Sequence, residues 1–347
     1  MKAVQTISHG GPETLRFRKD AATPEPAEGE VRIRVTAAGL NNTDIWSREG
    51  SYGTRSDPDA VAGWKRVPLS FPVIQGGDIA GTVDAVGSGV PESRVGSRVV
   101  VNPVLYGADE ASRGLRDCSL LGSERDGGFA EFVAVPESNA YAVDGPATDS
   151  ELACLPIAYL TAEHMLSRAD LRSGETVLIT GASGGVGTAL ILLARARGAK
   201  VLGVTSASKA KAVAELGADT IAREDFTQQG ADSLPEGPES VNVVADVVAG
   251  QVLPGLLNSL GYGGRYVTAG AIAGAMVGFD LRTVYLNQLA LFGSTLGTPD
   301  DFARVVGWAE KGALRPPVAA EYRLSELTEA QAHFARKDFV GNIVVHP

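Results

Sequence analysis

Hydrophobic and polar positions follow different rhythms in the two halves of the chain. In Val31-Arg32-Ile33-Arg34-Val35 they alternate, and in Arg98-Val99-Val100-Val101 the apolar residues cluster. Both patterns predict strands, and the Gly- and Pro-rich stretches between them predict turns, so residues 1 to about 145 read as an irregular β domain. From about residue 150 the period changes. Thr176-Val177-Leu178-Ile179-Thr180 is an apolar strand, a glycine turn follows, Thr188 to Arg197 has helical spacing, and Lys200-Val201-Leu202-Gly203-Val204-Thr205 is a second strand. Further strands are expected at Val241 to Val248 and Gly264 to Ala269. Strands separated by helices pair in parallel through right-handed crossovers, which predicts a doubly wound α/β sheet. Two apolar runs come last, Leu289-Ala290-Leu291-Phe292-Gly293-Ser294 and Gly341-Asn342-Ile343-Val344-Val345-His346, and the final strands are expected to rejoin the first domain. This reading assigns 1–145 and 298–347 to the β domain and 146–297 to the α/β one.

Composition narrows the function classes. At 347 residues the chain exceeds the size at which one core usually keeps growing, which favours two domains. A formal net charge of −10 opposes a phosphate backbone, and no Lys/Arg cluster offsets it, so nucleic acid is not an expected partner. No apolar stretch approaches the roughly 18 to 20 residues that span a bilayer, and Met1-Lys2-Ala3-Val4-Gln5 runs straight into strand-like alternation; no membrane partner and a cytoplasmic location are expected. Cys118 and Cys154 are too few for a disulfide framework and lack close metal-type pairing, which predicts two free thiols.

Thr180-Gly181-Ala182-Ser183-Gly184-Gly185-Val186-Gly187 lies between a predicted strand and a predicted helix, the context a dinucleotide fingerprint requires. Glycines permit the tight turn, the approach of backbone N–H groups to a pyrophosphate and close helix packing, while the helix N-terminus favours negative charge. Ala182, Ser183, Gly184, Gly185, Val186 and Gly187 are therefore candidate cofactor contacts. An NAD-type site places an acid at the end of the next strand; this chain has Thr205, then Ser206, Ala207, Ser208 and Lys209. Two serine hydroxyls and a cation suit a 2′-phosphate, so NADPH (NADP) is the expected cofactor, with Arg223 a further candidate at the adenine end. Lys209 and Lys211 also read as solvated residues at a helix start.

Gly39-Leu40-Asn41-Asn42-Thr43-Asp44, Gly76-Gly77-Asp78-Ile79-Ala80-Gly81, Asp126-Gly127-Gly128-Phe129-Ala130-Glu131-Phe132, Leu160-Thr161-Ala162 and the glycine turn together resemble the medium-chain dehydrogenase/reductase superfamily over nearly the whole chain. Among its branches the chain looks most like the zinc-less quinone oxidoreductases, the zeta-crystallin group. The resemblance implies a GroES-like β domain joined to a Rossmann sheet. It places Asn41 where zinc-dependent members have a Cys ligand, Gly77 where they have the His of Gly-His-Glu, and a third ligand position near Ile157. None of these side chains binds zinc, so no zinc and no other metal is expected. Asp78, in place of the Glu, reads as a carboxylate without its metal neighbourhood. The lobe between Asn102-Pro103 and Asp126 keeps one cysteine, Cys118, so a four-thiolate structural zinc is not expected either.

Without a Lewis acid, oxidation of simple alcohols loses several kcal/mol of alkoxide stabilisation. Reduction of a quinone or an α,β-unsaturated carbonyl tolerates the loss better, because the charge delocalises onto an oxygen that one or two donors can hold. The expected function is therefore metal-free hydride transfer from NADPH to such an acceptor. The resemblance places Asn41 and Tyr52 as catalytic candidates, with Asp44 and Trp46 lining the substrate pocket. It also places Thr161 and Gly270 at the nicotinamide end, and Asn342 towards the diphosphate. The insertion Gly53 to Leu69 lengthens the loop beside Tyr52. The alternatives are a zinc-type alcohol or aldehyde dehydrogenase, and a crystallin-like protein that holds NADPH without turning it over. An apolar strand at Leu289 to Ser294, near the sheet edge, predicts a homodimer.

Overall fold

The alternation at Val31–Val35 becomes part of a longer strand, in which Val31, Ile33 and Val35 are buried while Arg34 faces solvent. The computed structural model describes residues 1–52, 69–107 and 118–347. The insertion expected beside Tyr52 thus lies, apart from Leu69, outside the described residues. The chain divides into two units. The first comprises Met1–Ile157, Val306–Asp338 and Asn342–Pro347, and the second Ala158–Val305 and Phe339–Gly341.

The first unit is built on β1 (Ala3–Thr6), β2 (Leu15–Arg18), β3 (Glu30–Gly39), β4 (Val73–Ile74), β5 (Asp78–Val86), β6 (Arg98–Val101), β7 (Val104–Leu105), β8 (Ser119–Leu120), β9 (Phe132–Pro136) and β10 (Ala140–Ala142). The strands β11 (Thr176–Ile179), β12 (Lys200–Thr205), β13 (Asp219–Ala222), β14 (Val241–Asp246), β15 (Leu260–Thr268) and β16 (Ala290–Gly293) make the second unit. The chain then returns with β17 (Val318–Arg323) and β18 (Asn342–His346), which join β3 in the order β10-β6-β5-β3-β18-β17, β9 also pairing with β3. Of the two apolar C-terminal runs, Gly341–His346 returns to the first sheet as β18, whereas Leu289–Ser294 stays in the parallel sheet as β16. Two bulges interrupt the β3–β5 ladder, between Arg32/Ile33 and Val35/Ala37, and bend the strands across a core of Val, Ile and Ala.

The second unit is a parallel sheet in the order β13-β12-β11-β14-β15-β16. Counted along its own strands this is 3-2-1-4-5-6, with the switch of direction between β11 and β14. Val177, Leu178 and Ile179 are fully buried, as a central parallel strand covered on both faces requires. Leu178, Val244, Leu256 and Phe226 pack in one of its core clusters. The helix expected from Thr188 begins earlier, at Gly185, and ends at Ala196. Gly185, Val186 and Gly187 are poor helix formers, so their propensity hides a first turn that packing imposes. Strand β14 stops at Asp246 rather than Val248 because the Asp246 carboxylate takes the N–H groups of Val248 and Ala249 and turns the chain aside.

Two of the four points at which the chain passes from one unit to the other lie inside helices, Pro156–Arg168 and Pro299–Glu310, whose residues divide at Ile157/Ala158 and Val305/Val306. Within the second unit these helices are joined by a charged cluster. Glu163, fully buried, accepts Arg197 at 2.6 Å and Arg304 at 2.8 Å, and His164 bonds Asp301 at 2.8 Å. Among the described residues no helix is long and apolar enough to cross a membrane.

Candidate active site

In the first unit the site residues are set by the start of one helix. Asn41, at the end of the segment following β3, is extended (φ −130°, ψ 162°) and caps the helix Asn42–Glu49. Asp44, three residues on, reaches back so that its Oδ2 accepts the Asn41 N–H at 2.7 Å, and Gly76 N–H adds a second bond. Burial pushes the Asp44 carboxyl up to about 7 in spite of those donors. The Asn41 side chain donates from Nδ2 to Asp78 Oδ2 at 2.8 Å, while Ile157 N–H donates to Asp78 Oδ1 at 2.7 Å. Burial likewise raises Asp78, to about 8. Room for this carboxyl depends on Gly39: a Cβ there would meet Ala153 O at 2.4 Å and Asp78 Oδ2 at 2.9 Å.

Tyr52 follows the same helix. Its ring meets Trp46 edge to face at 6.0 Å, Thr43 hydrogen-bonds its phenol, and burial pushes its pKa up. Asn41, Asp44, Trp46 and Tyr52, the four sequence candidates of this region, thus all lie on or beside one helix. Asn41, Gly77 and Ile157 stand at the positions where the resemblance puts zinc ligands. Asn41 spends an amide N–H on Asp78, and a Cβ on Gly77 would meet Ile157 Cδ1 at 2.8 Å, so the isoleucine fills the place of a ligand side chain. No cluster of three His, Cys, Asp or Glu side chains suited to a metal occurs among the described residues. Cys118 and Cys154 are buried and form no disulfide, and burial holds the Cys154 thiol up.

In the second unit the glycine turn follows β11. Gly181 has φ +57°, the left-handed region open to glycine, and Gly184 is the extended N-cap of the helix Gly185–Ala196. No side chain caps that helix, so its first-turn N–H groups are offered outward. A Cβ on Gly184 would meet nothing closer than Gly181 O at 3.5 Å, whereas one on Gly187 would meet the same oxygen at 2.1 Å. Two glycines of one motif therefore serve different ends: Gly184 leaves an open approach to backbone, and Gly187 lets the helix lie on the turn. Ala182 is buried, with its N–H bonded to Val204 O. Ser183 accepts Gly341 N–H at its carbonyl, and Gly185 and Val186 are partly exposed.

Thr205 ends β12 buried, and its hydroxyl has no hydrogen-bond partner. Ser206 and Ser208 hydroxyls lie 3.2 Å apart, with Lys209 following. No carboxylate stands between Thr205 and Lys209, and the outward N–H groups and unpaired hydroxyl fit a dinucleotide. Arg223, after β13, is exposed and pairs with Glu224. Thr161 is buried in the helix Pro156–Arg168, and Gly270 follows β15 with its N–H near Thr268 Oγ1. Asn342 opens β18 in the first unit, buried, with its Oδ1 unpaired.

Pattern reading passed over Asp246 and Tyr266. The phenol donates to the carboxylate at 2.6 Å, and Asp246 is fully buried. A signal was present: an acid closing the apolar run Val241-Asn242-Val243-Val244-Ala245 is costly to bury unless donors meet it.

A bulged β unit whose last strands return from the chain end, joined to a 3-2-1-4-5-6 sheet with a glycine turn, defines an oxidoreductase of the alcohol dehydrogenase type. Residues 27–145 match the family model described as the alcohol dehydrogenase GroES-like domain, and 185–311 match that described as zinc-binding dehydrogenase. The acryloyl-coenzyme A reductase of Metallosphaera sedula is 32% identical over 99% of both chains. The quinone oxidoreductase of Rattus norvegicus is 29% identical, covering 96% of this chain and 93% of its own. A solved structure from Sinorhizobium meliloti 1021, named provisionally as an alcohol dehydrogenase, superposes with a TM-score of 0.92 at 48% identity, covering 100% of this chain and 96% of its own. The chain belongs to the medium-chain dehydrogenase/reductase superfamily, among its quinone oxidoreductase-like members.

Proposed function

We propose that this oxidoreductase reduces quinones or α,β-unsaturated carbonyls with NADPH and without a metal. The observation that carries this reading is the filling of the zinc-ligand positions by Asn41, Gly77 and Ile157, with the isoleucine side chain occupying the space a ligand would need. The relatives named as quinone and acryloyl-coenzyme A reductases act on conjugated acceptors, which supports the same substrate class. When bound, NADPH supplies hydride to the conjugated acceptor.

The residues of the chain then have the following tasks. The Gly184–Val186 backbone offers N–H groups to the diphosphate, and Ser206, Ser208 and Lys209, with the unpaired Thr205 hydroxyl, receive the 2′-phosphate. Ala182, Ser183 and Gly187 shape the turn, with Arg223 towards the adenine and Thr161, Gly270 and Asn342 towards the nicotinamide and diphosphate. Asn41, held by Asp78, presents its remaining amide valences to the acceptor or to the carboxamide. Tyr52 donates its phenolic hydrogen to the acceptor oxygen as negative charge develops there; its raised pKa keeps it protonated at neutral pH. Asp44 and Trp46 shape the pocket.

The same reading includes a homodimer through β16. This is the terminal strand of its sheet, and Leu291 on it, with Met276, Leu281, Tyr285 and Leu286 nearby in sequence, is exposed.

The test is oxidation of NADPH, then NADH, by chelator-treated protein against quinones, 2-alkenals, 2-alkenones and saturated aldehydes. Turnover of the conjugated acceptors with preference for NADPH is expected, and Tyr52→Phe is expected to lower kcat about 100-fold. Metal-dependent turnover of saturated aldehydes or alcohols alone would overturn the reading in favour of a zinc-type dehydrogenase.

A further inference from the structure

The strand order reverses between β11 and β14, and in open parallel sheets such a switch point is where the ligand crevice lies, outside the strands' carboxyl ends. A single buried carboxylate, Asp246, closes β14 at that point, and four donors converge on it. Thr180 Oγ1, at the end of β11, donates at 2.5 Å; Tyr266 OH, on β15, at 2.6 Å; Val248 N–H at 2.8 Å; and Ala249 N–H at 3.1 Å. The Thr180 hydroxyl in turn accepts Val247 N–H at 3.1 Å, so a continuous chain of bonds runs from the loop after β14 through the first residue of the glycine turn and back to Asp246.

The loops on either side are packed against each other. A Cβ on Gly181 would meet Val247 Cγ2 at 3.1 Å, and one on Gly270 would meet Val247 O at 3.1 Å. The loop after β14 also holds two consecutive left-handed residues, Ala249 at φ +54° and Gly250 at φ +68°. For alanine that conformation is strained and persists only where the surroundings enforce it. Here the enforcing group is visible: both Asp246 oxygens lie 3.1 Å from the Ala249 nitrogen. Neither helix propensity nor apolar packing calls for an ionisable side chain in this place, and its bonds all go to the backbone or side chains of the crevice walls.

We infer that Asp246 is a positioning residue for the dinucleotide, fixing the two walls of the switch-point crevice so that the nicotinamide half of the cofactor is held in one place. The inference rests on the cofactor reading above and concerns only its nicotinamide side, since the adenosine half lies beyond the turn, towards β12. Asp246→Asn keeps the volume but replaces an acceptor oxygen by an amide NH2 that faces donors. With the NH2 in the place of Oδ2, Tyr266 loses its acceptor; in the place of Oδ1, Thr180 and Val248 lose theirs and the loop 247–250 is loosened.

Equilibrium titration of the whole chain, by nucleotide fluorescence or calorimetry, distinguishes this role from a scaffold role. The probes are NADPH and 2′-phospho-ADP-ribose, which lacks the nicotinamide. Asp246→Asn is expected to weaken NADPH by about tenfold or more while leaving 2′-phospho-ADP-ribose within about twofold. Thr180→Ala, which removes only the bridging hydroxyl, is expected to do the same to a smaller extent, and Thr180→Ser to restore wild-type affinity; this pair carries the test if Asp246→Asn does not fold. Equal weakening of both nucleotides, or no change in NADPH affinity, overturns the inference. Failure of the wild type to bind either nucleotide overturns the cofactor reading itself and this inference with it.

Discussion

Gly187→Ala adds one methyl group where the helix Gly185–Ala196 lies on the glycine turn. The new Cβ would sit 2.1 Å from Gly181 O and 2.7 Å from Ala182 Cα, both backbone atoms, with 3.0 Å the distance below which real contacts are essentially never seen. The helix and turn must therefore separate by about 3.0 − 2.1 = 0.9 Å, and no flexible side chain is available to absorb the movement. Overpacking of this kind costs about 1–3 kcal/mol. For a unit of 150 to 250 residues each kcal/mol lowers Tm by about 2–4 °C, so a fall of roughly 2–12 °C is expected by calorimetry. A shift of that size in the turn is also expected to weaken NADPH about tenfold or more, since the N–H groups proposed to face the diphosphate move with it. Gly184→Ala is the matched control. Its Cβ meets only an ordinary contact at 3.5 Å and its φ of −82° suits alanine, so Tm is expected to stay within about 2 °C while the methyl obstructs the approach to backbone and lowers affinity. An unchanged Tm in Gly187→Ala would refute the packing argument, and wild-type NADPH affinity in Gly184→Ala would refute the assignment of that backbone to the diphosphate.

Asp44 and Asp78 are raised to about 7 and about 8, so the folded state binds protons that the unfolded chain has released above its ordinary carboxyl range near 3.8. Stability is then highest towards acid and falls as pH rises from about 4 to about 8. Urea unfolding at about pH 5.5 and 8.5 is expected to show the decline, less steep in Asp78→Asn, and a stability that rises with pH across that interval would contradict the burial argument. Asp301, held down to about 2 by His164 and the Thr298 donors, works in the opposite sense and only below about pH 4, outside that window. Ser206→Asp places an acid beside the last residue of β12, where it repels a 2′-phosphate and accepts ribose hydroxyls; the ratio of NADPH to NADH affinity is expected to fall by about tenfold or more, and an unchanged ratio would remove this segment from cofactor choice. Leu291→Lys puts a charge on the exposed edge of β16, and light scattering is expected to show the mass halved; a wild type that is already monomeric rules the interface out.

Much of the architecture was legible because burial leaves a period in the sequence. The apolar runs at Arg98–Val101 and Lys200–Thr205 are the strands β6 and β12 to the residue, since both are flanked by turn formers that end them locally. The start of the helix at Gly185 was not legible, for the residues that make its first turn are chosen for close packing rather than propensity. The same holds for the site. The glycine turn announces itself by composition, and Asn41, Asp44, Trp46 and Tyr52 fall within one short stretch. What binds Asn41 is out of reach of any local pattern: its partner Asp78 is 37 residues away, and the second donor to that carboxyl, Ile157, is 79 residues from it. Asp246 and Tyr266 are visible as residue types in two separate strands, but only the parallel order of β14 beside β15 makes them a pair.

The route of the chain also bears on how the protein emerges during synthesis. The strand β18, which lies between β3 and β17 in the first sheet, is made of Asn342–His346, while its neighbour β3 ends at Gly39. Some three hundred residues of chain are translated between these partners, including all six strands of the parallel sheet. The parallel sheet therefore has all six of its strands while the nascent first sheet still lacks β18, and β3, paired with β9 along Glu30–Arg34, waits with its Ala38–Gly39 end unpaired until β18 is made. A pause or truncation just before β18 thus leaves all six parallel strands in place and the Ala38–Gly39 end of β3 open to mispairing.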